Sequence, residues 1–184
     1  MVSIIVDSDI ILRTFTPQDA QTLFETIDAN RTHLRPWLSW VDGTTKQEHS
    51  LAFIEDALSQ LQSQQGIALG IFLNGNVIGT IGMHQWNHAL KKAQIGYWIV
   101  REHEGKGLLS KCLKRFVDFL FDKIDLNKIE IHFVPANKRS AAVADKFNAK
   151  IEGVLRDSYL RNGKLEDLVI TGILKHEWNQ DLQD

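Results

Sequence analysis

The sequence predicts a single α/β domain built on a mixed, mostly antiparallel central sheet of about seven strands flanked by helices. Two Asn-Gly pairs, at Asn74 and Asn162, each separate two strand-like runs, which is typical of antiparallel hairpins. Between Gln94 and Val134 the pattern runs strand, loop, helix and strand, which favours a parallel crossover. A chain of 184 residues is long enough for one core and short for two, so we expect one domain over 1–184 with its core over about 9–177.

The composition excludes several classes of protein. Hydrophobic residues make up 43% and charged residues 24% of the chain, as in soluble globular proteins. A net charge of −2 gives no basic footprint for direct nucleic-acid binding, and no apolar run approaches the roughly 20 residues that a membrane helix needs. Cys112 is the one cysteine, so no internal disulfide can form and a cytoplasmic location is expected.

The amino-terminal third predicts one strand and two helices. Alternating apolar residues indicate a strand from about Asp9 to Phe15. Thr16 and Pro17 then supply helix-start signals, and the core face of the following helix carries Ala20, Leu23, Phe24 and Ile27. Thr45 and Glu48 form a capping-box pattern ahead of a second helical stripe, which consists of Leu51, Ile54, Leu58 and Leu61.

The middle of the chain predicts a hairpin and a central strand. Residues 67–73 and 77–86 are strand-like and flank a turn at Asn74-Gly75. Gly79 and Gly82 interrupt the second strand, which indicates a bulge or the close approach of another backbone. Residues 94–100 form a short run of apolar, β-branched and aromatic residues and therefore predict a buried strand.

A polar loop with two glycines joins this strand to a helix. Gly105 and Gly107 allow close approach of the backbone to a bulky anion, and apolar residues recur at helical steps from Leu108. Free backbone N–H groups at the helix start make a seat for phosphate or pyrophosphate. Two nucleotide motifs do not fit, because Ser110 stands where a dinucleotide fingerprint needs Gly or Ala, and Val100 stands where a P-loop needs Gly.

The run from Tyr97 to Leu108, Tyr-Trp-Ile-Val-Arg-Glu-His-Glu-Gly-Lys-Gly-Leu, resembles the acyl-coenzyme A signature of GNAT N-acetyltransferases. More narrowly, the chain is similar to ribosomal-protein N-terminal acetyltransferases of the RimJ/RimL type. The resemblance implies a splayed parallel strand pair that holds acetyl-CoA, with the glycine loop against its pyrophosphate. Glu102 departs from the family pattern, which has Gln or Arg there. The implied cofactor-binding residues are Ile99, Val100, Arg101, Gly105, Lys106, Gly107, Leu108, Leu109, Ser110, Asn137 and Lys146.

A second informative stretch follows the predicted strand over 128–134. Asn137 and Ser140 have the residue types and spacing of a helix start, which accounts for both without any catalytic role. Under the resemblance they match an Asn-x-x-Ser motif, in which Asn137 hydrogen-bonds the pantetheine arm and Ser140 protonates the departing thiolate. The resemblance also implies an oxyanion donor in the backbone N–H near Ile99. Residues 150–160 and 165–175 then predict the last hairpin.

Aromatic residues supply the candidates for the substrate site. Trp37 and Trp40, beside Arg35, form either a substrate-binding wall or an apolar cap over the core, and the residues alone favour neither. The resemblance favours the wall. The implied substrate-binding residues are Arg35, Trp37, Trp40, Trp98 and Tyr159.

The general base stays open, and no metal is expected. Water relayed to bulk solvent suits an α-amine, whose unperturbed pKa is about 8, as well as a side chain does. His84 and His88 lack the Glu of a zinc-protease motif. The candidate bases are Glu102, His103, Glu130, His132 and Asp157 with Ser158.

Three functions remain open at this stage. The leading one is acetylation of a protein's N-terminal α-amine, that of a ribosomal protein included, by direct attack on the thioester. The second is acetylation of a small amine such as a polyamine or antibiotic, which acidic residues around Glu48, Glu55 or Asp56 would favour. The third is a non-catalytic acyl-CoA sensor or scaffold. A homodimer is compatible with the sequence, and no membrane partner is expected.

Overall fold

The structure is a computed structural model and describes residues 1–180. Its strands are β1 (Ser3–Ile5), β2 (Ile10–Thr14), β3 (Ile67–Leu73), β4 (Asn76–Asn87), β5 (Lys92–Ile99), β6 (Lys128–Phe133), β7 (Lys150–Arg161) and β8 (Lys164–Leu174). Its α-helices are α1 (Ala20–Ala29), α2 (Arg31–Leu34), α3 (Gln47–Gln62), α4 (Leu108–Asp122), α5 (Lys138–Lys146) and α6 (Lys175–Gln180).

The eight strands form one sheet in the order β1-β2-β3-β4-β5-β6-β8-β7. β5 and β6 run parallel, whereas the pairs β1–β2, β2–β3, β3–β4, β6–β8 and β7–β8 are antiparallel. This architecture confirms the predicted mixed, mostly antiparallel sheet with one parallel pair. The prediction missed β1, which is three residues long and buries only Ile4.

The chain divides into two compact units. The first comprises Met1–His84 and Gly96–Phe116, and the second comprises Gln85–Ile95 and the residues from Val117 onward. α4 begins in the first unit and ends in the second. A single domain over 1–184 stays a prediction, and its last four residues lie outside the described range.

In the first unit, β2 leads into α1 through a tight turn over Pro17–Asp19. The Asp19 carboxylate accepts hydrogen bonds from the Thr16 backbone N–H at 2.7 Å and from the Arg13 guanidinium at 2.8 Å. Because that guanidinium stabilises the charged form, the pKa of Asp19 is lowered. These contacts fix the direction of α1, in which Ala20, Leu23 and Ile27 are buried and Phe24 is half-buried.

The first hairpin forms as predicted. Asn74 and Gly75 both have positive φ, at 49° and 83°, the backbone conformation of a two-residue hairpin turn. A side chain at Gly79 is excluded, since a Cβ there would lie 2.2 Å from the Trp98 carbonyl oxygen. The predicted close approach is therefore present, and the β3–β4 register shifts in the same region.

The predicted capping box before α3 is wrong. The helix begins at Gln47, and its N-cap residue is Lys46, whose side chain makes no capping hydrogen bond. The Thr45 backbone N–H instead donates to Nδ1 of His49 at 3.2 Å. The predicted capping box has the Glu48 side chain as the acceptor of the Thr45 N–H. In the structure the His49 imidazole is the acceptor.

In the second unit, the parallel β5–β6 ladder is short. It contains three residue pairs and ends at Gln94–Glu130, whereas β6 stays paired with β8 as far as Phe133. The core of this unit includes Trp178, whose ring lies near the rings of Phe121 and Phe147. The second predicted turn also forms, since Asn162 and Gly163 have positive φ. No helix within residues 1–180 is long and apolar enough to cross a membrane.

Candidate active site

The glycine loop of the first unit has the geometry that an anion seat needs. Gly105 and Gly107 have φ of 69° and 76°, a region that other residues adopt only with strain, and the space at each Cα is open. The first bond inside α4 runs from the Lys111 N–H to the Gly107 carbonyl at 3.0 Å. The N–H groups of Leu108, Leu109 and Ser110 therefore have no partner within the helix and can bind an anion.

The strand that enters this loop presents a backbone N–H of its own. The Val100 N–H donates to the Ile78 carbonyl on β4 at 2.8 Å. Because successive backbone groups of an extended chain point in opposite directions, the Ile99 N–H points away from β4. The role of this N–H as an oxyanion donor stays a prediction.

An imidazole from α2 contacts both the strand and the loop. Nε2 of His33 lies 3.2 Å from the Ile99 carbonyl oxygen and 3.3 Å from Oε1 of Glu104. The Arg101 N–H also donates to Oδ1 of Asn30 at 3.3 Å. These contacts connect the α1–α2 segment to the glycine loop. No periodic or motif signal predicts them, because the partners lie far apart along the chain.

A cavity of about 460 Å³ lies in the first unit, between α3 and the sheet. Most of its wall is apolar. One face of α3 forms one side, through His49, Ser50, Phe53, Asp56, Ala57 and Gln60. The remaining wall is made by Leu23, Ile27, Leu38, Trp40, Thr44, Ile67, Ala68, Thr80, Ile81, Gly82, Met83, His84, Gly96, Tyr97 and Trp98.

The structure brings two of the predicted substrate-binding residues together in this wall. The rings of Trp40 and Trp98 lie 6.3 Å apart between centroids and are tilted by 52°. Arg35 and Trp37 lie outside the lining, and the Arg35 guanidinium pairs with Asp42 at 2.7 Å. Tyr159 belongs to β7 in the second unit.

Of the polar groups in the cavity lining, Asp56 is one that the polyamine alternative named, whereas Ser50 was not predicted. Ser50 is 1% exposed, and within residues 1–180 its Oγ makes no hydrogen bond. Among residues 1–180, Asp56 is the one carboxylate in the lining, and it accepts a hydrogen bond from the Gln60 amide at 2.6 Å. Glu48 and Glu55, which the polyamine alternative invoked, do not line the cavity. Helical periodicity groups such residues on one face but gives no sign of an adjacent cavity.

Asn137 and Ser140 lie at the start of α5 in the second unit. Oδ1 of Asn137 accepts a hydrogen bond from the Ser140 backbone N–H at 3.2 Å, so the predicted N-cap is present. Lys146 is the last residue of the same helix and is exposed. Their contribution to catalysis and cofactor binding stays a prediction.

The chain matches the family model described as "Acetyltransferase (GNAT) domain" over residues 9–150. This chain is a GNAT acetyltransferase. The match spans most of the chain and contains the glycine loop, and it confirms the family that the Tyr97–Leu108 signature indicates.

Individual relatives agree with this GNAT membership. The chain is 32% identical over 174 residues to the "Putative ribosomal N-acetyltransferase YdaF" of Bacillus subtilis, covering 94% of this chain and 95% of that protein. A solved structure described as "Probable acetyltransferase" is 32% identical, with a TM-score of 0.90 and coverage of 97% and 99%. The crystal structure of microcin C7 self immunity acetyltransferase MccE in complex with acetyl-CoA and AMP is 25% identical, with a TM-score of 0.88 and coverage of 92% and 94%.

Two of the candidate bases of this GNAT chain, Glu130 and His132, are neighbours on β6. Burial raises the pKa of Glu130, but the Lys92 and Lys128 ammonium groups outweigh it, so the pKa of Glu130 is lowered and the carboxylate stays ionised. Burial lowers the pKa of His132 despite the neighbouring Glu130, at 3.1 Å, so this imidazole is neutral at neutral pH. Both groups are therefore in the form that accepts a proton at neutral pH, and the general base stays open.

No metal cluster accompanies these groups. Among residues 1–180, no three His, Cys, Asp or Glu side chains come together in a way that could hold a metal ion. Cys112 is buried in α4, and burial raises the pKa of its thiol to about 12. The thiol is therefore protonated at neutral pH and unsuited to act as a nucleophile.

Proposed function

We propose that this chain transfers the acetyl group of acetyl-CoA to a primary amine, and that the N-terminal α-amine of a protein is the preferred acceptor. One observation carries the proposal. In the first unit, β5 places Tyr97 and Trp98 in the wall of the apolar cavity and continues directly into the glycine loop. A cavity for an acceptor and a seat for an anion are thus joined by a few residues, as transfer from a coenzyme A thioester requires.

The glycine loop supports coenzyme A as the donor. Pyrophosphate is a bulky dianion that the backbone N–H groups at the start of α4 can bind, and Gly105 and Gly107 leave room for it. Lys106, between the two glycines, is exposed and adds a positive charge to the loop. MccE, which shares this fold, has been solved with acetyl-CoA bound.

The proposed reaction is a direct displacement at the thioester carbon. The neutral amine nitrogen attacks this carbon, the carbonyl oxygen becomes an oxyanion, and the Ile99 N–H donates to it. The C–S bond then breaks and the sulfur leaves as a thiolate, which takes a proton from the Ser140 hydroxyl while solvent water returns a proton to that hydroxyl. The proton lost by the amine nitrogen passes to water or to a side-chain base. The products are an N-acetylated amine and the coenzyme A thiol.

In this proposal, the oxygen and the NH₂ group of the Asn137 side-chain amide have different partners. Its oxygen already accepts a hydrogen bond from the Ser140 backbone N–H. Its NH₂ group is then the part that donates to a carbonyl oxygen of the pantetheine arm.

The charge of the cavity supports a peptide acceptor over a polyamine. A polyamine carries several positive charges and needs several carboxylates, because a buried unpaired cation is costly. Asp56 is the one carboxylate of the cavity lining within residues 1–180. An α-amine on an otherwise neutral, apolar peptide end fits such a wall better.

The test is the release of free coenzyme A thiol from acetyl-CoA with peptides of free N-terminus, with the same peptides blocked at the N-terminus, and with spermidine. We expect turnover on the free peptides, with mass spectrometry locating the acetyl group on the α-amine. The blocked peptides are the matched control. Turnover on spermidine alone would assign the chain to the small-amine class, and cofactor binding without turnover on any amine would contradict the enzymatic proposal.

A further inference from the structure

The cavity of the first unit is larger than a small first residue needs. Its volume of about 460 Å³ falls within the roughly 300–1,000 Å³ typical of pockets for drug-sized ligands. An alanine or serine side chain would leave most of that apolar space unfilled. Phe53, Trp40 and Trp98 contribute large aromatic surfaces to the wall. The cavity is therefore suited to a bulky apolar group.

One buried side chain in the wall of the same cavity is polar and has no hydrogen-bond partner among residues 1–180. Ser50 is 1% exposed, and its Oγ makes no hydrogen bond within residues 1–180. An unpaired buried hydroxyl is destabilising, so a hydrogen-bonding group brought into the cavity by a ligand would stabilise Ser50. The neighbouring His49 extends the polar part of the wall on the same face of α3.

We infer that the acceptor of this enzyme is a peptide whose first residue carries a large apolar side chain, which fills the cavity while Ser50 hydrogen-bonds a polar atom of the peptide backbone. This inference rests on the proposed function and names its substrate class. The preference arises from burial of the side chain against Phe53, Trp40 and Trp98. A residue such as Met, Leu or Phe at the free N-terminus satisfies it, and Gly, Ala or Ser does not.

The experiment compares kcat/KM for peptides that differ only in the first residue. We expect values about tenfold to a hundredfold higher for Met, Leu or Phe than for Gly, Ala or Ser, since burial of a side chain of that size changes an equilibrium constant by about that much. Equal values, or a preference for the small residues, would overturn the inference while leaving peptide acetylation in place. Turnover on spermidine alone would overturn the proposed function itself.

Two variants test the cavity directly. Ala57→Phe fills it, and Ala52→Phe makes the same change on an exposed position of the same helix that does not line it. We expect Ala57→Phe to erase most of the preference for a bulky first residue and Ala52→Phe to retain it. Equal preference in both variants, with thermal unfolding showing both to be folded, would overturn the inference.

Ser50→Ala tests the hydrogen bond. Because the hydroxyl makes no internal bond, we expect the melting temperature to stay the same or rise while kcat/KM for the best peptide falls about threefold to tenfold. A lowered melting temperature with unchanged kcat/KM would assign Ser50 a structural role and contradict this part of the inference.

Discussion

Replacing Gly107 with alanine is the sharpest test of the coenzyme A seat. Gly107 has φ of 76°, and a Cβ there would meet no protein atom within 4 Å. Alanine therefore introduces no clash and costs about 1–2 kcal/mol of backbone strain. For a chain of this size that cost lowers the melting temperature by about 2–8 °C. The added methyl group projects into the open space that the proposed pyrophosphate occupies.

Gly75 provides a matched control. It has φ of 83°, its Cβ position is equally open, and it lies in the turn between β3 and β4. Gly75→Ala should therefore lower the melting temperature about as much as Gly107→Ala, by the same backbone strain. A difference in coenzyme A affinity between the two variants then reflects a direct effect on the binding loop and not a loss of stability.

Calorimetric titration with coenzyme A measures that difference. We expect the dissociation constant of Gly107→Ala to be at least about tenfold higher than that of Gly75→Ala, because charge-assisted hydrogen bonds from the helix start are weakened. Equal dissociation constants would refute the assignment of the pyrophosphate to this loop.

Three further predictions concern single side chains. Ser140→Ala should lower kcat at least about tenfold with little change in coenzyme A affinity, because the thiolate loses its proton donor; an unchanged kcat in steady-state assays would remove Ser140 from the reaction. His33→Ala should raise KM for acetyl-CoA several-fold, since the contacts with Ile99 and Glu104 are lost. Glu104→Gln should raise KM less, and equal KM values in the unmodified protein and both variants would contradict this prediction. Cys112, with its pKa raised to about 12, should resist thiol reagents in the native protein at pH 8 and react after denaturation in urea; rapid labelling of the native protein would contradict its burial.

Local chemistry explains which parts of the fold could be predicted from the sequence. The two Asn-Gly turns adopt positive φ whatever surrounds them, so both hairpins were predictable. The parallel crossover followed from a strand, a helix and a strand in succession. β1 was missed, because a strand of three residues with one buried side chain is too short to show the alternation of apolar and polar residues.

The candidate site was predictable only where a motif marks it. The glycines of the loop and the Asn137 cap belong to short patterns, and the structure has both in the predicted local conformation. The contact between His33 and Glu104 joins residues that lie far apart in the sequence. It therefore depends on the tertiary fold and not on any local pattern. From the sequence, Ser50 is an ordinary residue of an amphipathic helix, and only the structure shows the cavity beside it.

The decisive experiment on the proposed reaction is thiol release from acetyl-CoA with a free-N-terminal peptide, followed by mass spectrometric location of the acetyl group. We expect release of coenzyme A thiol that depends on the free α-amine, with the acetyl group found on that amine. Binding of acetyl-CoA without acetylation of any peptide or small amine would contradict the proposed reaction.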